Sequence, residues 1–220
     1  MSRLAKLPPL PREERRALRR QKIVETASVL FAELGYSSCE MDRVAARLKV
    51  AKGTLYLYFP GKQELFFACV DHGLTQMQQA TRAAADEVDE PFDKLSRAIR
   101  AYLVFFREHP QYVELLLQER AIFRDRKKPA YFEHRESARV YWRGLMKSLI
   151  DGGRVRPELP VETILDTLGN LFYGTMFTNH FLGHVENLDD QYQRLLDIVL
   201  RGILSEKERS RHAKFCARRT

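Results

Sequence analysis

The chain has 220 residues, of which 45% are hydrophobic, and it carries a formal net charge of +8 at pH 7. The length allows one or two domains, and the hydrophobic content excludes general disorder. No run of eighteen apolar residues occurs, so no transmembrane helix is predicted, and residues 1–10 lack the apolar core of a signal peptide. The three cysteines are scattered, which indicates ordinary thiols in a reducing compartment rather than a disulfide framework.

Residues 1–11 are predicted to be a mobile lead, and a first helix is predicted to begin at Arg12. That helix is polar at first and then amphipathic, and it is expected to end at Gly35 because glycine commonly follows a last helical turn. Residues 1–22 contain eight basic side chains and two acidic ones. Such a basic arm favours a polyanionic partner, although a solvated arm that aids solubility has the same composition.

Two short helices joined by a tight turn are predicted next, over residues 44–59. Apolar residues at 44, 45 and 48 give the first helix one buried face, and residues 49–51 form the turn. The second helix is predicted over 52–59, because Phe59 precedes a proline and is therefore disfavoured in the α region. This helix has a lysine, a threonine and two tyrosines outside its apolar face. Such side chains bond phosphates and base edges, so we predict a DNA contact rather than an ordinary helical hairpin.

The later sequence has helical periodicity throughout, with no strand alternation and no internal repeat. Six more helices are predicted, which makes the fold all-α with about nine helices. They run from Lys62 to about Val88, from Pro91 to His109, from Gln111 to about Arg124, from about Pro129 to Gly152, from about Val161 to Leu182, and from about Leu188 to Leu204.

Three stretches within residues 23–67 form a recognisable motif: FAELGY at 31–36, Val44-Ala45, and VAKGTLYLYFPGK at 50–62. They resemble the DNA-binding domain of the tetracycline-repressor (TetR) family of bacterial transcription regulators. The family pattern is Phe-x-x-x-Gly-Tyr/Phe, then Ile/Val-Ala, then Gly-Val-Ser-Lys-Gly-Thr-Leu-Tyr-x-Tyr-Phe-x-x-Lys. The resemblance implies a cytoplasmic regulator with a helix-turn-helix domain over 12–62, a helical ligand-binding and dimerisation domain over 63–204, and a basic tail over 205–220.

The same resemblance implies which residues contact double-stranded DNA: Arg43, Lys52, Gly53, Thr54, Tyr56, Tyr58 and Lys62. The first three residues of the reading helix match positions that reach base edges, and the two tyrosines match positions that bond phosphates. Lys62 matches a lysine that holds a phosphate beside the free amides at the start of the fourth helix.

One position departs from the family pattern. Threonine or serine usually begins the second helix and touches a phosphate, whereas this chain has Cys39-Glu40-Met41. We expect Ser37 and Glu40 to form a capping box there.

The last two predicted helices, 161–182 and 188–204, are unusually apolar for the end of a chain. A small domain would hardly cover both, so we predict burial against a second copy, and the family resemblance implies a four-helix bundle between two protomers. Two reading helices related by a twofold axis would bind a palindrome with half-sites about one helical turn, roughly 34 Å, apart. The alternative is that both helices belong to an intramolecular core.

The family resemblance implies a small-molecule effector, and the aromatic residues of the second domain predict an apolar or aromatic one. The predicted pocket residues are Phe105, Phe106, Tyr112, Tyr141, Trp142, Phe172, Tyr173 and Phe177. Aromatic residues at helical spacing are also common in cores, so the pocket competes with ordinary packing. His180 and His184 have a spacing that can hold a metal, but no cysteine or carboxylate cluster accompanies them, so neither metal nor cofactor is predicted.

Two other classes of function remain as alternatives to a DNA-binding regulator. An enzyme is not expected, because the sequence has no P-loop, HExxH, GxSxG or dinucleotide glycine motif. An interaction protein that keeps the helix-turn-helix only as scaffold would not need the exposed tyrosines and Lys62. A membrane-surface binder would need a more apolar arm than residues 12–22 provide.

Overall fold

The computed structural model describes residues 11–183 and 187–209. Within these ranges every regular element is a helix, and a helical turn over 206–209 adjoins the last described residue. The helices are α1 (Arg12–Ser38), α2 (Met41–Leu48), α3 (Lys52–Tyr56), α4 (Lys62–Asp86), α5 (Pro91–Glu108), α6 (Pro110–Ile122), α7 (Ala130–Asp151), α8 (Val161–Leu182) and α9 (Leu188–Ile203). The predicted all-α fold is confirmed. None of these helices is both long enough and apolar enough to span a membrane.

Contacts divide the chain into two compact units, one ending at His72 and the other beginning at Gly73. The core of the first unit draws apolar side chains from α1, α2, α3 and the first turns of α4. They include Ile23, Val24, Ala27, Phe31, Val44, Leu55, Leu65 and Phe66. The Phe66 ring meets the rings of Phe31 and Tyr36 edge-on, at centroid distances of 5.2 and 5.0 Å. Because α4 supplies part of this core, the unit continues beyond residue 62, where we predicted its boundary.

The helix ends follow the glycine and proline signals in most places. The first helix was expected to end at Gly35, but Gly35 (φ 76°, ψ 154°) only interrupts α1, which continues to Ser38. α8 lies between Pro160 and Gly183, as predicted. The predicted reading helix over 52–59 was too long, since α3 ends at Tyr56. The amides of Tyr58 and Phe59 both donate to the Leu55 carbonyl at 2.9 Å, which makes a turn that buries Phe59.

The second unit contains the remainder of α4 and helices α5 to α9. α7 packs on α8, and α5 packs on α6, α8 and α9. The segment after α7 is tied to the end of α9 by an isolated bridge between Val155 and Leu204. The loop between α6 and α7 is fixed by the buried carboxylate of Glu119, whose Oε1 accepts hydrogen bonds from the Ala130 amide at 3.0 Å and Arg126 at 2.9 Å.

Several sequence predictions concern residues outside the described ranges. The proposed mobile lead lies almost entirely in residues 1–10, and most of the basic tail, with Cys216, lies in residues 210–220. His184 also lies outside them.

Candidate nucleic-acid interface and ligand cavity

The turn between α2 and α3 depends on an unusual backbone conformation at Lys49. This residue has φ 56° and ψ 45°, and it is the one non-glycine residue with positive φ in the described part of the chain. Its amide donates to the Ala46 carbonyl at 3.1 Å, and the Val50 amide donates to the Ala45 carbonyl at 3.0 Å. Left-handed backbone costs a side-chain-bearing residue about 1–2 kcal/mol. Lys49 occupies the position at which the TetR pattern has glycine, so this chain tolerates strain there.

The residues predicted to contact DNA all lie in α2, α3, the turn after α3 or the first residue of α4. Arg43, Lys52, Gly53 and Tyr56 are exposed, whereas the other three are half-buried. Next to Tyr56, Leu57 is 74% exposed, more than any other large apolar side chain in the described part of the first unit. The structure therefore brings the predicted residues together along one short segment. Their roles in DNA binding remain predictions.

Lys52 is paired with a carboxylate at the start of the preceding helix. Its Nζ lies 2.9 Å from Oδ1 of Asp42 and donates a hydrogen bond to Oδ2 at 3.0 Å. This hydrogen bond raises the pKa of Lys52, so the ammonium remains charged at neutral pH. Both side chains are exposed, and an exposed pair of this kind is worth little to stability. A phosphate or a guanine could therefore replace Asp42 at small cost.

The ammonium of Lys62 has more partners within the chain than that of Lys52. Its Nζ donates to Oε1 of Glu40 at 2.8 Å and to the Ser37 carbonyl at 3.1 Å, and it lies 4.8 Å from the centre of the Tyr36 ring. The Lys62 side chain is 19% exposed and the Glu40 side chain 65%. The ammonium thus connects the start of α4 with the segment between α1 and α2. Only its carboxylate partner is freely accessible to solvent and to an approaching polyanion.

The expected capping box at α2 is not present. Ser37 belongs to the last turn of α1, and Glu40 is the N-cap residue of α2 without a side-chain capping bond. The Glu40 carboxylate binds Lys62 instead of a backbone amide. The sequence pattern was misleading because it assumes a local partner for the Glu40 carboxylate, whereas the actual partner, Lys62, is twenty-two residues away.

Two arginines of α1 reach the turn that follows α3, which the sequence analysis did not anticipate. The Arg16 guanidinium lies 6.0 Å from the centre of the Tyr58 ring, and that of Arg20 lies 4.9 Å from the centre of the Phe59 ring. Both arginines are exposed and occur one helical turn apart. Their spacing of four residues was the available signal. They extend the basic surface onto α1 from the reading segment, that is, α3 and the turn that follows it.

The second unit contains a partly open cavity of about 160 Å³ between α4, α5, α7 and α8. Its wall is mainly apolar, with the hydroxyl and amide groups of a few polar residues and two arginines. The lining residues are Met77, Gln78, Thr81, Leu95, Ala98, Ile99, Tyr102, Tyr131, Arg135, Ala138, Arg139, Trp142, Leu145, Met146, Leu165, Leu168, Gly169 and Phe172. A largely apolar concave site with a few polar groups is what small-molecule binding requires.

Of the predicted pocket residues, Trp142 and Phe172 line this cavity. Phe106 lines a separate, much smaller space. The Phe105 ring stacks on the Tyr112 ring at 5.9 Å, with both side chains buried.

The other three predicted residues lie away from the cavity wall. The rings of Tyr173 and Phe177 contact each other at 4.8 Å. The Tyr141 hydroxyl donates to Oδ1 of Asp86 at 3.3 Å, while Arg82 stacks on the Tyr141 ring. Helical periodicity did not distinguish these packed rings from the two that face the cavity.

Neither metal ligation nor a disulfide is evident among the described residues. His180 Nε2 lies 3.2 Å from Oε2 of Glu114, and no group of three potential ligand side chains in the described ranges could hold a metal. Cys39 and Cys69 are free and buried, and burial raises the pKa of Cys69 to about 12, so this thiol is not activated.

Comparison with known proteins identifies the first unit. Residues 23–69 match the family described as bacterial regulatory proteins, tetR family. The HTH-type transcriptional regulator YhgD of Bacillus subtilis is 28% identical over 149 residues, which are 66% of this chain and 76% of that protein. The HTH-type transcriptional repressor KstR2 of Mycobacterium tuberculosis is 24% identical over 147 residues, or 66% of this chain and 74% of the repressor.

The whole described fold also has solved counterparts. The fatty acid degradation regulator FadR of Bacillus halodurans has a TM-score of 0.73 at 17% identity, over 83% of this chain and 94% of that one. The ketosteroid regulator KstR2 of Mycobacterium tuberculosis has a TM-score of 0.63 at 23% identity, over 86% and 96%. At these identities the likeness establishes the fold alone. The chain is therefore similar in fold to these regulators, and its residues 23–69 match the model of the tetR family of bacterial regulatory proteins.

Proposed function

We propose that this regulator is a homodimeric, ligand-responsive repressor that binds a palindromic DNA operator in the bacterial cytoplasm. The observation that carries the proposal is the reading segment, where Lys52, Thr54 and Tyr56 lie on one five-residue helix whose cationic and hydroxyl groups reach solvent. A fully internal helix would bury these groups, whereas Lys52 and Tyr56 are exposed and the Asp42 partner of Lys52 is exposed as well.

The contacts divide into two kinds by their position. We assign base reading to Lys52, Gly53 and Thr54 at the start of α3, where a recognition helix enters the major groove. We assign phosphate binding to Tyr56, Tyr58 and Lys62, together with Arg16 of α1. Phosphate contacts fix the register and contribute affinity for any sequence, whereas base contacts determine which sequence is preferred.

Dimerisation through α8 and α9 is supported by apolar side chains that the single chain leaves exposed. Phe181, Leu182 and Ile198 are 65%, 64% and 66% exposed. All three belong to the last two helices, and large exposed apolar groups of this kind are typical of an interface. A twofold axis would then present two reading segments to a palindrome.

Ligand response is supported by the cavity of the second unit. A site of roughly 150 Å³ in another protein binds benzene, so a cavity of about 160 Å³ admits a single ring without rearrangement. α4 is continuous from Lys62 to Asp86 and contributes residues to both units. An effector that binds one arrangement of α4 better than another would shift the population that binds DNA.

Selection from a random duplex pool tests the proposal, with the mass of the complex measured on the winning sequence. We expect an inverted repeat that binds two chains. Recovery of no preferred sequence, or one chain on an asymmetric site, would overturn the homodimeric operator-binding function.

A further inference from the structure

We propose that the effector bound in the second-unit cavity is an apolar carboxylic acid. Its apolar part is about one ring in size, and its single carboxylate binds Arg135. This inference rests on the cavity being the effector site of the proposed function. It adds the chemical class of the ligand and the residue that recognises it.

The charge of the cavity wall points to an anion. Of the eighteen lining residues, two are charged, and both are arginines, Arg135 and Arg139. No aspartate or glutamate occurs among these eighteen. Two lining tyrosines, Tyr102 and Tyr131, bond each other through their hydroxyls at 3.0 Å. Burial raises the pKa of both, that of Tyr131 to about 12, so they remain neutral and add no negative charge.

The two arginines belong to a ladder of ion pairs between α7 and α8. Arg143 donates to Glu162 at 2.6 Å, and Arg139 contacts Glu162 at 2.6 Å and Asp166 at 3.0 Å. Arg139 therefore has two close carboxylates. Arg135, at the end of the ladder, contacts only Asp166, at 2.7 Å, and shares that carboxylate with Arg139. Of the two arginines in the cavity wall, Arg135 therefore has the less compensated positive charge.

Arg135 also keeps hydrogen-bonding capacity. Its terminal nitrogens donate to Oδ1 of Asn170 at 2.9 Å, to Oδ1 of Asp166 at 2.7 Å and to the Asp166 carbonyl at 3.4 Å. Its Nε–H has no acceptor among the described residues, and one terminal N–H also remains of the five that a guanidinium offers. These two N–H groups lie on different sides of the guanidinium, so a carboxylate can accept either one of them, in a charge-assisted bond stronger than that to a neutral amide.

A glycine on the facing helix leaves room for the guanidinium of Arg135. A Cβ at Gly169 of α8 would lie 2.6 Å from Cζ and 2.7 Å from Nε of Arg135. The guanidinium therefore rests directly on the α8 backbone, where any side chain would displace it. Gly169 itself lines the cavity, so this contact forms part of the wall.

The chain contains its own reporter for the test. Trp142 is the single tryptophan and lines the cavity, so its fluorescence reports occupancy. We would titrate the full-length protein with benzoate, phenylacetate, 3-phenylpropionate, hexanoate and octanoate, and each acid against its own carboxamide. At least one acid should bind about tenfold or more tightly than its amide, as expected for a bond to a charged group. If no acid in the panel exceeds its amide, the inference is wrong.

Matched variants locate the recognition. Arg135→Gln should abolish the preference for the acid, whereas Arg143→Gln, in the same ladder but outside the cavity wall, should retain it. Gly169→Ala should also abolish it while preserving the fold, because alanine is favourable in a helix and only the flexible Arg135 must move. Circular dichroism and thermal unfolding would check each variant. Equal loss in Arg143→Gln and Arg135→Gln would attribute the effect to the ladder and overturn direct recognition.

DNA binding separates this inference from the function on which it rests. Suppose that the protein binds its selected operator and is released by a neutral ligand but by no acid. The proposed regulatory function would then hold, and the inferred acid class of the ligand would be wrong. If acids bind the cavity of a protein that has no preferred DNA sequence, the proposed function fails independently of the ligand class.

Discussion

Lys62 donates a hydrogen bond of 2.8 Å to the carboxylate of Glu40. The TetR pattern has a lysine at the first of these positions and usually a threonine or serine close to the second, so the carboxylate departs from that pattern. Glu40 neutralises the lysine that the pattern assigns to phosphate, and it is itself exposed on the same side of the unit. DNA binding must therefore either displace Glu40 or tolerate its charge.

Glu40→Gln should strengthen DNA binding. Removal of one negative charge within several ångströms of a phosphate is worth up to about 1 kcal/mol in water, or up to roughly fivefold in affinity. The gain should be equal on the selected operator and on a scrambled duplex, because it acts on the backbone. Fluorescence anisotropy at 0.1 M salt measures it, with Glu133→Gln in the second unit as the charge-matched control. Weaker binding would mean that Glu40 positions Lys62 for the phosphate.

Tyr56→Phe and Thr54→Ala should affect binding in different ways. Loss of the Tyr56 hydroxyl should lower affinity for every duplex, by about tenfold if it bonds a phosphate. Loss of the Thr54 hydroxyl should change the order of preference among duplexes that differ within one half-site. Competition binding with a set of single-base variants measures both effects, and Tyr141→Phe in the second unit serves as a control. A change of preference in Tyr56→Phe would reassign this tyrosine to base reading.

Lys49→Gly should stabilise the first unit. Glycine adopts the observed φ of 56° without the strain that any side chain incurs, although it also gains more freedom in the unfolded chain. We expect a net gain of up to about 1 kcal/mol in the free energy of unfolding. Lys49→Ala removes the same charge but keeps the Cβ, so it should give no gain in urea unfolding. Equal stability of the two variants would show that the turn relaxes without strain.

Glu119→Ala should destabilise the second unit by about 1–3 kcal/mol, because it leaves the Ala130 amide and Arg126 without their buried acceptor. Glu119→Gln should lose much less. Burial raises the pKa of Glu119, so the charge is already disfavoured there, and the amide oxygen can still accept the hydrogen bond from Ala130. Glu133→Ala, at the exposed partner of the same arginine, should change stability little. A loss in Glu119→Gln equal to that in Glu119→Ala would assign the stabilisation to the charge.

Ile198→Asp should convert the proposed dimer to a monomer, since it places a charge on an exposed apolar position of α9. Light scattering at micromolar concentration should give half the mass of the parent protein. Val140→Asp is the matched control, because Val140 is 75% exposed on α7, outside the last two helices. A dimer that persists in Ile198→Asp but dissociates in Val140→Asp would move the interface to α7.

The fold was largely predictable because proline and glycine delimit the helices. Pro160 and Gly183 fixed α8 to the residue, and Gly35 marked the break in α1. The length of α3 was not predictable in the same way. The helix ends at Tyr56, and the chain then turns so that Phe59 is buried in the core of the first unit, a tertiary contact that periodicity does not reveal.

The location of the predicted DNA-contacting residues in the fold followed from the sequence only where a motif specified it. The reading segment assembled where the motif placed it, but the partners of its lysines did not follow from spacing. Glu40 and Lys62 are twenty-two residues apart, and their contact depends on how α1, α2 and α4 pack. For the cavity, the aromatic residues of the sequence indicated a ligand pocket, yet most of them pack against other side chains and do not line it. Arg135 gave none, because a cross-helix pair leaves no period in a single segment.

The most direct measurement compares the affinity of the selected operator with that of its scrambled counterpart across a salt series. A sequence-reading dimer should prefer the operator by roughly a thousandfold or more, and both affinities should fall steeply as salt increases. Equal affinity for the two duplexes, with the same salt dependence, would mean that the basic arm of α1 binds DNA and that α3 does not read it.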